Sequence, residues 1–84
     1  MAVFNDVIEI LGSVLQLADA AKKLNDNSPL LGAIPEFDSM AVVSIITALE
    51  DRFGFVVDDD EIDAAVFETV GSLVAFVERK LQAS

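Results

Sequence analysis

The sequence predicts an all-α domain: a four-helix bundle with a long loop between its first two helices and a short third helix. Apolar residues recur at three- and four-residue steps over most of the chain, the period of a buried helical face. Turn-forming residues are gathered into one stretch instead of being spaced as between strands. Hydrophobic residues make up 54% of the 84 residues, too many for a disordered acidic segment and enough for one small core. A single domain over residues 1–84 is expected.

The first helix is predicted from Val3 to Leu17, where Val3, Phe4, Val7, Ile8, Leu11, Val14 and Leu15 repeat on one face. Asp6 and Glu9 near its start and Lys22 and Lys23 beyond its end suit the helix dipole. Asn25-Asp26-Asn27-Ser28-Pro29, then Gly32 and Pro35, predict an irregular loop over about 24–37. Leu30, Leu31, Ile34 and Phe37 are expected to pin that loop to the core. Asp38 or Ser39 can cap the second helix, predicted from Met40 to Phe53, with Gly54 as its left-handed terminator. Its apolar set is wider than one stripe, so either the helix is buried on several sides or part of its apolar surface is a docking face. Phe55-Val56-Val57 reads as a short link. The acids Asp58 to Glu61, followed by Ile62, Ala64, Ala65, Val66 and Phe67, predict the short third helix. Thr69 caps the last helix, in which Val70, Leu73, Val74, Val77 and Leu81 keep helical spacing. The expected core is Val7, Leu11, Leu15, Ile46, Leu49, Phe53, Leu73 and Val77.

Composition excludes much chemistry. Fifteen acids against five bases give a net charge of −10, and Cys, His, Trp and Tyr are all absent. Nucleic acid is not an expected partner, because phosphate binding needs clustered Lys and Arg. Disulfides, thiolate metal sites, a cysteine nucleophile and a histidine base are all ruled out. The expectation is therefore not an enzyme. Asp6 and Glu9 stand where a secretory leader needs positive charge and an unbroken apolar run. No apolar run approaches the roughly 18 residues of a membrane span. A cytoplasmic monomer is expected.

Ser39, within Pro35-Glu36-Phe37-Asp38-Ser39-Met40, is the candidate functional residue. It places a hydroxyl at the junction of a constrained loop and a helix start, where first-turn N–H groups favour a phosphate. No His or Lys lies near it in sequence to make it a self-sufficient nucleophile. On local residues alone, a plain helix cap is the more ordinary role.

Leu30-Leu31-Gly32, Asp38-Ser39-Met40 and Ala48-Leu49-Glu50-Asp51-Arg52-Phe53-Gly54 together resemble the acyl carrier protein family over nearly the whole chain. Met40 replaces the family's usual Leu, a volume-conserving change. The resemblance implies that Ser39 takes a covalent 4′-phosphopantetheine arm from coenzyme A, with Asp38 and Met40 completing the attachment motif. The arm's thiol then carries acyl groups as thioesters, which a chain without Cys or His cannot do alone. The implied partners are a phosphopantetheinyl transferase and acyl-loading and acyl-accepting enzymes with basic docking patches. The implied docking surface holds Met40, Val43, Ser44, Thr47, Glu50, Asp51, Val57 and Asp59. Val43 and Thr47 would also guide cargo towards the core. Ala41 and Ser44 stand where fatty-acid carriers often have acids, which points to a dedicated carrier instead of one serving housekeeping fatty-acid enzymes. The stretch LLGAIPEFDSMAVVSIITALEDRFGF is most similar to small carriers of the exosortase protein-sorting system. An aminoacyl, peptidyl or D-alanyl carrier shares this pattern, though pronounced acidity favours an acyl carrier. An unmodified acidic helical interaction module is the alternative from another class.

Charge supports docking independently of resemblance. Glu36 to Asp63 holds nine acids and one base, for −8, and the remainder holds six acids and four bases, for −2. Such asymmetry steers basic partners. An EF-hand loop starting at Asp59 would need Gly and Glu where Ala64 and Val70 stand, so no specific metal site is predicted. Millimolar magnesium or calcium is expected to raise the Tm by screening the acids. Tight one-to-one binding in calorimetry would contradict that diffuse screening.

Overall fold

A computed structural model describes residues 3–17, 23–30 and 38–83, with backbone alone at Asp59 and Ala83. Three α-helices run through these residues: α1, Val3–Val14; α2, Ser39–Phe53; and α3, Val70–Ala83. Helix α1 packs against both α2 and α3. Among the described residues there is no strand, only an isolated antiparallel bridge between Pro29 and Thr69. No helix among them is long and apolar enough to cross a membrane.

Helix α1 buries Val3, Val7, Ile10 and Leu11, followed by Leu15 just past its end. It stops three residues short of the predicted Leu17. The Leu17 N–H donates to the Gly12 carbonyl at 3.0 Å around Gln16, whose φ is 55°. This six-to-one closure satisfies an end carbonyl that the helix cannot. A left-handed non-glycine costs about 1 kcal/mol, and without a glycine nothing in the sequence marks the stop. Lys22 lies outside the described residues.

The predicted loop begins with a turn built by its own polar residues. The Asn25 N–H donates to Ser28 Oγ and the Asn27 N–H to Asn25 Oδ1, both at 2.9 Å. The chain then straps onto the head of α3. The Leu30 N–H donates to the Glu68 carbonyl at 3.0 Å. In return the N–H groups of Val70 and Gly71 donate to the carbonyls of Ser28 and Asp26, at 3.0 and 2.9 Å. Thr69 caps α3 as predicted, its Oγ1 accepting from the Ser72 N–H at 3.1 Å, while the Thr69 N–H donates to Ser72 Oγ at 3.0 Å. The three leading N–H groups of α3 thus all find acceptors, a need common to every helix start. Leu30 is fully buried, as expected of an anchor. The other expected anchors, Leu31, Ile34 and Phe37, lie outside the described residues.

The short third helix of the predicted bundle is not an α-helix. Asp59–Glu61 makes one 3₁₀ turn, closed by the Glu61 N–H on the Asp58 carbonyl at 2.9 Å. Further on, the N–H groups of Val66, Phe67 and Glu68 each donate three residues back, to Asp63, Ala64 and Ala65. Consecutive acids repel one another, and Asp is a poor helix former that bonds nearby backbone instead. The Asp58 N–H donating to Glu61 Oε1 at 3.0 Å and the Val66 N–H to Asp63 Oδ1 at 3.2 Å are such bonds. The segment still serves the core by burying Val66 and Phe67.

Seven of the eight expected core residues are buried: Val7, Leu11, Leu15, Ile46, Leu49, Leu73 and Val77. Phe53 is only partly buried and stacks on buried Phe55, with centroids 5.8 Å apart and planes 5° from parallel. Gly71 is where the strap leaves no space, since a Cβ there would lie 2.8 Å from the Asp26 carbonyl oxygen. Gly71→Ala is expected to cost about 1–3 kcal/mol, as overpacking against backbone does. Urea denaturation measures it, and an unchanged midpoint would mean the strap gives way freely.

Candidate functional site

Of the two residues able to cap α2, the structure uses Asp38. Its backbone is extended (φ −114°, ψ −173°), Oδ1 accepts the Ala41 N–H at 2.9 Å, and its carbonyl accepts the Val42 N–H at 3.0 Å. Ser39 is therefore the first helical residue and not the cap, and it is exposed. The N–H groups of Ser39 and Met40 precede any acceptor inside the helix, so the positive end of the helix dipole sits beside the hydroxyl. Gly54 ends α2 as predicted, with φ 76° and its N–H on the Glu50 carbonyl at 2.9 Å.

Met40, Val43, Thr47 and Glu50 follow steps of three and four along α2 and share one stripe. Met40 is 78% exposed and Val43 63%. Ser44, Thr47 and Asp51 are exposed too, and the Thr47 hydroxyl donates to the Val43 carbonyl at 3.0 Å. Ala41 is buried, so of the two neutral positions noted in the sequence only Ser44 reaches the surface. Glu50 is half-buried, its Oε2 accepting the Val57 N–H at 2.8 Å, which ties the following link to the helix. Val57 is half-buried, whereas Val56, absent from the sequence-derived set, is 72% exposed. The missed signal is the in-and-out alternation that an extended link imposes once Phe55 points inward. The side chain of Asp59 and all of Glu36 lie outside the described residues. A surface groove of about 360 Å³ between α1 and α2 involves Ala48, Asp51 and Arg52. It begins some 14 Å along the helix from Ser39, at about 1.5 Å per residue, and shares Asp51 with the implied docking surface.

Residues 5–77 match the family model described as "Phosphopantetheine attachment site". An acyl carrier protein of Exiguobacterium is 37% identical over 75 residues, covering 89% of this chain and 84% of that relative. One from Sulfurovum is 35% identical over 79 residues, covering 93% and 97%. The chain belongs to the acyl carrier protein family. A holo acyl carrier protein of Nitrosomonas europaea, solved by NMR, superposes with a TM-score of 0.90 at 57% identity, covering 98% and 99% of the two chains. The cofactor of such carriers is covalently attached 4′-phosphopantetheine. The head of α2 fits such a group, offering an exposed hydroxyl that the cap does not occupy and first-turn N–H groups suited to a phosphate.

The acidic face of this carrier keeps its charge. Arg52, the one base between Glu36 and Asp63, turns to α1 and pairs with Asp6 at 3.0 Å and Glu9 at 2.7 Å. The Glu9 hydrogen bond, with the charges of Glu9 and Asp6, raises the guanidinium pKa above its ordinary value. Asp38, Asp51, Asp58, Asp60 and Asp63 remain exposed. Glu61 has a partner in Lys80 of α3, whose Nζ donates to Oε1 at 2.8 Å and to Oε2 at 3.0 Å. That bond first, and the Asp58 N–H second, hold the Glu61 carboxyl below its ordinary range. A lowered folded-state pKa stabilises the fold fully above the unfolded value, about 4.3 for Glu, and the gain is lost as pH falls through the folded value. Between neutrality and acid, wild type is expected to lose stability more steeply than Glu61→Gln below about pH 4.3. Urea midpoints across pH test this, and parallel curves would remove Glu61 from the account.

Proposed function

We propose that Ser39 is the attachment point of the 4′-phosphopantetheine arm and that this chain carries acyl groups between enzymes. The observation that supports the reading is that Asp38 takes the capping role, leaving the Ser39 hydroxyl exposed at the head of α2. When attached, the arm supplies the thiol on which acyl groups ride as thioesters. Loading forms a bond from Ser39 Oγ to the phosphorus of the phosphopantetheine and breaks the pyrophosphate P–O bond of coenzyme A, releasing adenosine 3′,5′-bisphosphate. The Ser39 proton passes to the transferase, because the chain has no histidine to receive it. Asp38 holds the helix start rigid, and Met40 forms the apolar shoulder beside the hydroxyl. The chain makes and breaks no acyl bond by itself.

The reading extends to partners. Met40 and Val43 make the apolar contact near the arm, Ser44 and Thr47 lie between, and Glu50, Asp51 and Asp59 supply acidic contacts further along. A neutral Ser44 and exposed Met40 and Val43 support a dedicated carrier, in keeping with the similarity to exosortase-system carriers. The 3₁₀ turn and the turns over 63–68 take the place of the short third helix of a four-helix carrier bundle. We place the protein in the cytoplasm as one domain over residues 1–84 and as a monomer.

Incubation with coenzyme A and a broad-specificity phosphopantetheinyl transferase is expected to add one arm to the intact mass. Ser39→Ala is expected to abolish the gain while leaving the helical circular dichroism unchanged. A wild-type chain that stays bare would instead make this an unmodified interaction module.

A further inference from the structure

We infer that the groove between α1 and α2 is a second interaction site, which takes an aliphatic side chain that a protein partner presents beside a Lys or Arg. The inference goes beyond the role proposed for Ser39 and does not depend on it. The groove holds about 360 Å³, at the low end of the roughly 300–1,000 Å³ of small-molecule pockets. It is open because two of the residues lining it are short. Ser13 on α1 and Ala48 on α2 leave unfilled a space that a larger side chain on either helix would occupy. Ile10 and Val14, one turn apart on α1, supply the apolar wall. Ile10 is buried, and Val14 and Ala48 are half-buried. Such a recess gains most from one aliphatic side chain that displaces its water.

The rim sets the charge of the occupant. Glu9 and Asp51 line the groove and are exposed. Arg52 lines it too, paired with Glu9 at 2.7 Å and with Asp6 at 3.0 Å. These three acids and one base leave −2 at the rim, on a chain of net charge −10. That field attracts a base and repels carboxylates and phosphates, and a second copy of this chain would bring the same excess of acids. An aliphatic side chain next to Lys or Arg therefore suits recess and rim together. Ala48 follows Ser39 by nine residues, about two and a half turns, so the groove opens on the side of α2 opposite the hydroxyl. Of the implied docking residues only Asp51 lines it. A partner seated there holds the carrier from behind and leaves Ser39 open to another enzyme.

The test is a titration of the full-length, isotope-labelled chain, followed by amide NMR shifts, with three capped dipeptides. Acetyl-leucyl-arginyl amide is expected to give saturable shifts at Ser13, Val14 and Ala48 and to leave the Ser39 amide in place. Acetyl-alanyl-arginyl amide, which keeps the charge, and acetyl-leucyl-glutamyl amide, which reverses it, are each expected to bind at least fivefold more weakly. Ala48→Leu fills the recess at constant charge and is expected to abolish saturation. Ser13→Leu fills it from α1 with the same expected loss, which covers the case of Ala48→Leu failing to fold by circular dichroism. Equal Kd values for the leucyl and alanyl peptides would reduce the binding to charge alone and overturn the inference. So would unchanged binding in a folded filled variant, shifts centred on the acids after α2, or a shift at Ser39 as large as at Ala48.

Discussion

The hydrogen bond from the Ala41 N–H to Asp38 Oδ1 decides what the head of α2 offers to solvent. A helix start needs acceptors for its leading N–H groups, and Ser is as good a cap as Asp. Had the hydroxyl taken that task, it would be turned towards the backbone and committed to it. With the carboxylate in the cap, the serine moves one position into the helix, keeps a defined backbone and retains an uncommitted oxygen. The site needs little more, because in this family the reactive sulfur arrives on the arm.

Electrostatics divides the molecule in the same economical way. Arg52 is the base best placed to blunt the acidic half, yet it closes α1 onto α2 through Asp6 and Glu9. Exposed ion pairs contribute little to stability, so the more telling effect is on the field: turned towards α1, Arg52 is withdrawn from the exposed carboxylates after α2. Lys80 does neutralise Glu61, the acid whose backbone closes the 3₁₀ turn. Anchoring and attraction are thus assigned to different acids within one run.

Much of this was legible in the sequence where a residue type has one dominant local meaning. Gly54 after an apolar helical run, Thr69 before one, and the Asn-Asp-Asn-Ser turn all sit where they were placed. The spacing also showed an apolar set on α2 wider than one stripe, and the family resemblance placed Met40 and Val43 on its docking face, where both are exposed. What was not legible turned on choices between local hydrogen-bonding arrangements of similar strength. Gln16 closes α1 in a conformation that glycine would have announced. The 58–67 segment has the apolar pattern of a helix, but the Glu61 and Asp63 side chains take up the N–H groups of Asp58 and Val66, and its turns close three residues back. Asp38 against Ser39 as cap was undecidable locally, since both are strong caps. Val57 was chosen over Val56 because position in a family was read before the alternation of the link. Glu50 looked like a free docking acid, and half of its carboxylate is in fact structural.

The strap of Asp26, Ser28 and Leu30 on the head of α3 also governs where the chain can change its length. Residues 26–30 are held in register with 68–71 by reciprocal backbone bonds, and Gly71 admits no shift towards bulk. An added or missing residue inside that ladder would misalign each bond and lift Leu30 from the core. Variation in length among related chains is therefore disfavoured between Asp26 and Leu30, where that register has to be kept.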